Sequence, residues 1–227
     1  MSFPKYPKYK DSGVEWLGEV PEHWDLRKVK HLTSRISSGK TPLGGSEVYE
    51  DEGITFLRSQ NVYDEGLRLD DVVFIPKFVD EAMAVSRVQP NDILLNITGA
   101  SIGRSCVVPC DFPSANVNQH VCVIRLKNPS QIPTIGWLFK SSAIKNQIDE
   151  AQNGAAREGL NFIQIGEMSV PIPSASEQSQ IATFLDRETS KIDALVGEQR
   201  RLIELLKEKR QAVISHAVTK GLNPHAP

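Results

Sequence analysis

No stretch of this 227-residue chain approaches the roughly 20 consecutive apolar residues that a bilayer-spanning helix needs. The opening residues, MSFPKYPKYKDSG, hold no apolar core and so no secretory signal. Both absences make the cytoplasm the expected location, with no membrane partner. Positive charge is not in excess: 26 Lys and Arg stand against 28 Asp and Glu, a formal net charge of −2. Compact DNA binders are often markedly basic, so bulk charge gives that class no support, although one face can be basic while another is acidic. Cysteine is scarce and odd in number, three residues in a chain that reads as intracellular, which argues against a disulfide framework. Catalytic signatures are missing too: there is no GxGxxG after a strand, no Walker A loop, no HExxH and no GxSxG. His31, His120 and the scattered carboxylates form no visible set, so no catalytic activity of the chain's own is expected.

Cys106, Cys110, His120 and Cys122 would supply four metal ligands, but their spacing departs from the Cys-x2-Cys knuckles of structural zinc sites. In HVCVIRL (120–126) strand alternation puts Cys122 on one face with His120 and Ile124, as suits a small buried hydrophobe. No metal is expected. The densest basic clusters are Lys5, Lys8, Lys10, Arg27, Lys28 and Lys30, and then Arg200, Arg201, Lys207, Lys209 and Arg210. The second alternates with Glu198, Glu204 and Glu208 and reads as a solvated helix face with i,i+4 pairs.

The last quarter of the chain is the most strongly patterned. Pro171 and Pro173 hold its approach extended. Ser174 and Glu177 then form a capping-box pair, and the spacing predicts one helix from there to about Ser215, roughly 60 Å long. Ile181, Leu185, Ile192, Leu195, Leu202, Leu206 and Val213 fall in a heptad seam, interrupted by Glu188, Gln199 and Lys209. Such a helix is too long for one small domain to bury and calls for a partner.

Three regions follow: an opening segment (1–24) with Trp16 and Leu17 as docking anchors, a mixed region (25–172), and the long helix with its tail (173–227). ITFLR (54–58), VVFI (72–75), DILLNIT (92–98), SCVVP (105–109) and HVCVIRL read as short strands. VDEAMAVSR (79–87) reads as a short helix and TIGWLFKSSAIKNQIDEAQ (134–152) as a longer one. The fold class expected is α+β, a mixed globular domain followed by a long C-terminal helix.

Between these elements lie polar loops whose side chains suit bases and phosphates. SSGKTP (37–42) carries Lys40 and Thr41, LRSQNV (57–62) carries Arg58, Gln60 and Asn61, and NITGASIGR (96–104) ends on Arg104. NVNQH (116–120) offers Asn118 and Gln119, and NGAAREGLN (153–161) offers Arg157 and Asn161. Asn and Gln pair bidentately with adenine, Arg or Lys with guanine, and glycine lets a backbone approach phosphate closely. The same residue types also build turns, so each loop alone is weak and only their number in one domain favours binding.

The string PIPSASEQSQIATFLDRETSKID (171–193), with Pro173, Glu177, Gln178, Ile181 and Asp193, resembles the junction between recognition domain and conserved helix in type I restriction-modification specificity (S) subunits. SGVEWLGEVPEHW (12–24) is similar to the segment that opens each half of such a subunit, and the loop strings are similar to weaker landmarks between them. The resemblance covers nearly the whole chain. It implies sequence-specific recognition of double-stranded DNA, with Lys40, Thr41, Arg58, Gln60, Asn61, Arg104, Asn118, Gln119, Arg157 and Asn161 as candidate contacts. It implies modification subunits that methylate adenine and restriction subunits that cleave. S-adenosylmethionine, ATP and Mg belong to those partners, and no cofactor is expected on this chain. Family members carry two recognition domains and two long helices packed antiparallel, whereas this sequence holds one of each. It therefore reads as a half-subunit that forms a homodimer or as part of a longer subunit. The alternative from another class is a coiled-coil assembly protein whose mixed domain binds protein.

Overall fold

The computed structural model describes residues 4–152 and 159–222. They form two compact units, Met1–Ile181 and Ala182–Pro227. The first opens with the hairpin β1 (Tyr9–Asp11) and β2 (Glu19–Pro21), then β3 (Asp25–Lys28), the single turn α1 (Val29–Leu32) and β4 (Thr33–Ser38). β5 (Ile54–Leu57), the small hairpin β6 (Val62–Tyr63) and β7 (Gly66–Leu67), β8 (Val73–Ile75) and α2 (Lys77–Ala82) follow. Next come β9 (Arg87–Val88), β10 (Ile93–Asn96), β11 (Ser105–Val107), β12 (Ala115–Val117) and β13 (Val121–Leu126). α3 (Ile132–Lys140), α4 (Ser142–Gln152), α5 (Phe162–Glu167) and β14 (Ser169–Ile172) lead into α6 (Ala175–Lys220).

Two four-stranded sheets carry the globular unit. One is antiparallel in the order β11-β10-β13-β4; the other runs β8-β5-β12-β9, with β12 parallel to β5. Alternation along single strands explains why the sheets stack. In β13, Cys122, Ile124 and Leu126 join a core that Ile135, Phe139, Ile144 and Ile148 of α3 and α4 cover, while Val121 and Val123 face a second core shared with Leu57, Ala115 and Val117. β10 divides in the same way, Ile93 and Leu95 to the helices and Leu94 to the other sheet. A third cluster, Phe56, Ile75, Val79 and Met83, packs α2 on the far side of the second sheet. Strands buried on both faces read as unbroken apolar runs, which is why DILL and HVCVIRL are legible. Full burial of each such aliphatic side chain stabilises the fold by about 1.5–3 kcal/mol.

Two charged contacts brace the sheets. Arg125 forks onto Asp92, with Nε to Oδ1 and Nη2 to Oδ2 both at 2.7 Å, and that carboxylate is 1% exposed. Asp80, buried beside Asn116 and Ser86, accepts from Arg87 Nε at 2.9 and 3.1 Å. Asn116 is thereby committed to the interior.

The expected α+β class holds, with several local differences. The segment 134–152 is two helices, because Ser141 is extended (ψ 155°) and its N–H and hydroxyl both donate to Leu138 O. The short helix lies at Lys77–Ala82, earlier than 79–87, because Pro76 stands as its N-cap. The long helix runs on to Lys220 and stops at Gly221, whose φ of 72° is the left-handed conformation that ends helices. Its start follows the capping-box expectation: Ser174 N and Oγ donate to Glu177 Oε2 at 3.1 and 2.6 Å, and Gln178 Nε2 donates to Pro173 O at 2.8 Å. Strands β1, β2, β3, β4, β6, β7, β9, β12 and β14 were not foreseen, being short or rich in polar residues. No helix among the described residues is long and apolar enough to cross a membrane.

The cysteines do not assemble. Cys122 lies in the helix-side core and Cys106 in the core between the sheets, both buried, while Cys110 is exposed. Burial pushes both buried thiols up to about 12. Among the described residues no cluster of His, Cys, Asp and Glu fits a metal.

Candidate nucleic-acid interface

Strand register gathers the polar loops at one edge. Ser38 lies opposite Cys122 and Asn96 opposite Val121, so β4 and β10 both end where β13 begins. β11 begins there as well, Ser105 being opposite Leu95. In the second sheet Val117 pairs with Leu57, so parallel β12 and β5 end together, and Asn118 N donates to Leu57 O at 3.0 Å. The two sets of ends are tied to each other: Lys40 N donates to Val117 O at 3.2 Å and Asn96 Nδ2 to Ser59 O at 2.8 Å. Gly159 bridges Thr98, and Leu160 N donates to Ile97 O at 2.9 Å. All five loop segments singled out in the sequence thus meet, the last of them through its final residues.

One glycine makes the closest of these approaches possible. A Cβ on Gly39 would lie 1.7 Å from Val117 O. Only glycine lets SSGKTP press against NVNQH in this way.

Within the edge the predicted residues fall into three groups. Thr41 Oγ1 donates to Gln119 Oε1 at 2.6 Å, and Gln119 Nε2 donates to His120 Nε2 at 2.9 Å. His120 Nδ1 in turn hydrogen-bonds the Thr98 hydroxyl, and Asn118 Oδ1 accepts from His120 N at 3.1 Å. Lys40 and Thr41 are exposed beside this chain of contacts.

The second group centres on Asp71. Arg58 Nη2 donates to Asp71 O at 2.6 Å, and Gln60 Nε2 donates to the Asp71 carboxylate. Arg58 Nε is buried without a partner among the described residues. Asn61 is fully buried: its Oδ1 accepts from Arg58 N at 2.9 Å, and its Nδ2 donates to Arg68 O and Asp71 Oδ1 at 2.9 and 3.0 Å. Its amide is used up inside the loop, so it shapes the turn that presents Arg58 and Gln60 and has no free edge for a base.

In the third group Arg104 and Arg68 both lie over the Tyr63 ring, 4.6 and 3.6 Å from its centre. Asn161 caps α5: its Oδ1 accepts from Gln164 N at 2.8 Å, and its own N–H donates to Gln164 Oε1 at 2.9 Å. Arg157 lies outside the described residues. Sequence reasoning missed Tyr63, Arg68 and the roles of Thr98 and His120. VYDEG (62–66), an aromatic before a tight hairpin, is the overlooked signal for Tyr63.

The edge is polar. A cavity of about 500 Å³ elsewhere on the globular unit is lined by Trp16, Lys28, Gln147, Glu150 and Glu167, among others, and by none of the five loops. Two of its three carboxylates are engaged: Trp16 Nε1 donates to Glu150 at 2.9 Å, and Lys30 pairs with Glu167. A large surface of loops with several guanidinium and amide groups suits an extended polar ligand.

The family model for the type I restriction modification DNA specificity domain matches residues 21–205, which is most of the chain. The chain belongs to that family. The StySPI specificity subunit of Salmonella potsdam and the EcoKI specificity subunit of Escherichia coli K12 are each 26% identical to it over 210 residues, 90% of this chain and 44% of theirs. The putative MjaX specificity subunit of Methanocaldococcus jannaschii is 23% identical over 229 residues, 99% of this chain and 52% of its own. The chain thus spans about half the length of these relatives. The HsdS subunit of Thermoanaerobacter tengcongensis shares the fold with a TM-score of 0.58 at 17% identity, over 94% of this chain and 48% of that one. A chain from a structure of a type I R-M system scores 0.66 at 17% identity, over 94% and 49%. Membership in a specificity family does not favour the scaffold-protein alternative.

Proposed function

We propose that this specificity-family chain reads one half of a two-part DNA target, with the loop edge as its reading surface and α6 as the arm that joins it to a second recognition unit. The observation that carries the reading is the convergence of five polar loops where β4, β5, β10 and β12 end. Arg58, Gln60, Gln119 and Arg104 face bases, while Lys40 and Thr41 hold phosphate. Asp71 keeps Arg58 and Gln60 in place until DNA exchanges with it. The chain supplies no catalysis. Modification subunits bring S-adenosylmethionine, restriction subunits bring ATP and Mg chemistry, and assembly takes place in the cytoplasm.

The test is selection from a random DNA pool by the purified chain with its cognate modification subunit. One sequence motif should emerge, and Arg58→Ala or Gln60→Ala should weaken the selected site by about 1–3 kcal/mol while leaving random DNA nearly unchanged. Equal loss on both would assign these residues to positioning, and no motif at all would overturn the reading.

A further inference from the structure

The hydrogen bonds that join Thr41, Gln119, His120 and Thr98 run in one direction. An amide oxygen only accepts and an amide nitrogen only donates. Thr41 Oγ1, 2.6 Å from Gln119 Oε1, is therefore a donor, and Gln119 Nε2, 2.9 Å from His120 Nε2, meets a ring nitrogen without a proton. An imidazole bare at Nε2 carries its proton on the other nitrogen. His120 Nδ1 accordingly donates to the Thr98 hydroxyl. The direction of the whole relay rests on one proton.

Both ends of the relay are fixed by backbone contacts. His120 N donates to Asn118 Oδ1 at 3.1 Å and His120 O accepts from Ile97 N at 3.0 Å, so the half-buried ring is anchored beside the end of β10. Thr98 is held by its bridge to Gly159. Thr41 follows Gly39 and Lys40, whose N–H groups donate to Val121 O and Val117 O, both at 3.2 Å. Gln119 is exposed between Thr41 and the ring. Its amide has two N–H donors and two lone pairs. The relay takes one of each and leaves one of each. A donor beside an acceptor matches the N7 and N6-amino edge of adenine in the major groove.

We propose that His120 is a positioning residue: its Nδ1–H tautomer sets which way round the Gln119 amide stands and so commits Gln119 to adenine at one base pair of the target. The proposal rests on the reading of the loop edge as the DNA-reading surface and adds which base is read and what selects it. The two ends of an amide have nearly the same shape, so packing does not choose between them. Turned over, the amide would set its oxygen against adenine N7 and its NH2 against the N6 amino group, two repulsive meetings. A proton on Nε2 would turn it: Nε2–H would donate to Oε1, the amide NH2 to Thr41 Oγ1, and the Thr98 hydroxyl to Nδ1. Every group stays bonded in that reversed relay. The number of hydrogen bonds therefore does not decide the orientation, and the position of the His120 proton does.

Two measurements test it together: nitrogen NMR of the imidazoles in the full chain at about pH 8, and selection from random DNA with the cognate modification subunit. The His120 signals are identified by their loss in His120→Asn. They should show Nδ1 protonated and Nε2 bare, and a proton on Nε2 in the wild type overturns the proposal however well any variant folds. Gln119→Ala should relax a single A·T pair by about 10-fold or more and leave the rest of the motif. Thr98→Val should relax the same pair and move the proton to Nε2, because an N–H left without an acceptor is tolerated less than a bare lone pair. Thr98→Ser, which keeps the hydroxyl, should recover both. Selectivity that is kept in Thr98→Val, lost without a shift of the proton, or not recovered in Thr98→Ser each overturns the proposal. A motif that Gln119→Ala leaves whole, or relaxes at a G·C pair, sinks the proposal and leaves the recognition reading standing. Absence of any motif in the wild type removes that reading itself.

Discussion

The globular unit and the helix arm treat their apolar residues in opposite ways. The first hides them in three clusters within 181 residues, with charged groups such as Asp92 and Asp80 drawn in and fully paired. The second displays them, with six aliphatic side chains of one stripe each more than 40% exposed. One unit buries its apolar residues by itself, and the other leaves a stripe of them exposed. Stability and assembly should therefore respond to different substitutions.

The largest effect expected is in the globular unit. Arg125→Leu leaves the buried Asp92 carboxylate unpaired and should lower unfolding stability by about 3–5 kcal/mol, read by denaturant titration. The oligomeric state below the melting transition should not change; if it does, the separation of the two units fails. Gly39→Ala forces a Cβ into Val117 O and should destabilise by about 1–3 kcal/mol. Its sharper readout is DNA selectivity, because the Lys40–Thr41 loop must move.

A smaller effect lies at the start of α6. Glu177 is held down to about 2, first by the Ser174 hydroxyl and then by His23, 2.8 Å away, and Trp24. A carboxylate with a lowered folded-state value adds stability above the ordinary Glu range and loses it as pH falls towards 2. Glu177→Gln should remove about 1 kcal/mol at neutral pH and flatten the melting temperature between pH about 4.5 and 2. The smallest effect is a reactivity difference: one thiol, Cys110, should react quickly with a thiol reagent in the native chain, and all three after denaturation.

The sequence was most legible where one physical rule dominates. β10 and β13 are buried on both faces and show as apolar runs; the entry to α6 shows because Ser174 and Glu177 cap it and two prolines precede it. β4 (TSRISS) was opaque because Ser and Arg favour loops when only one strand is visible, and β12 because Asn116 is buried for its bonds to Asp80 and Ser86. The loops were found by composition, but composition could not separate Asn61 and Asn161, which hold turns and caps, from Arg58 and Gln60, which remain at the surface. That distinction depends on partners 3 to 13 residues away and on local geometry that residue type does not encode. The apolar stripe of α6 was visible from its spacing alone.

The pairing of β3 with β14 has a consequence of its own. Residues 25–28 and 169–172 lie side by side, Leu26 opposite Pro171, so the chain leaves the sheet-bearing body next to where it entered. A body whose two ends touch is a cassette: it can be lifted out, exchanged for another or reopened at a new position without stretching what flanks it. Exchange of the cassette would replace the sequence read in a single step and keep the arm, and whatever the arm holds, as before.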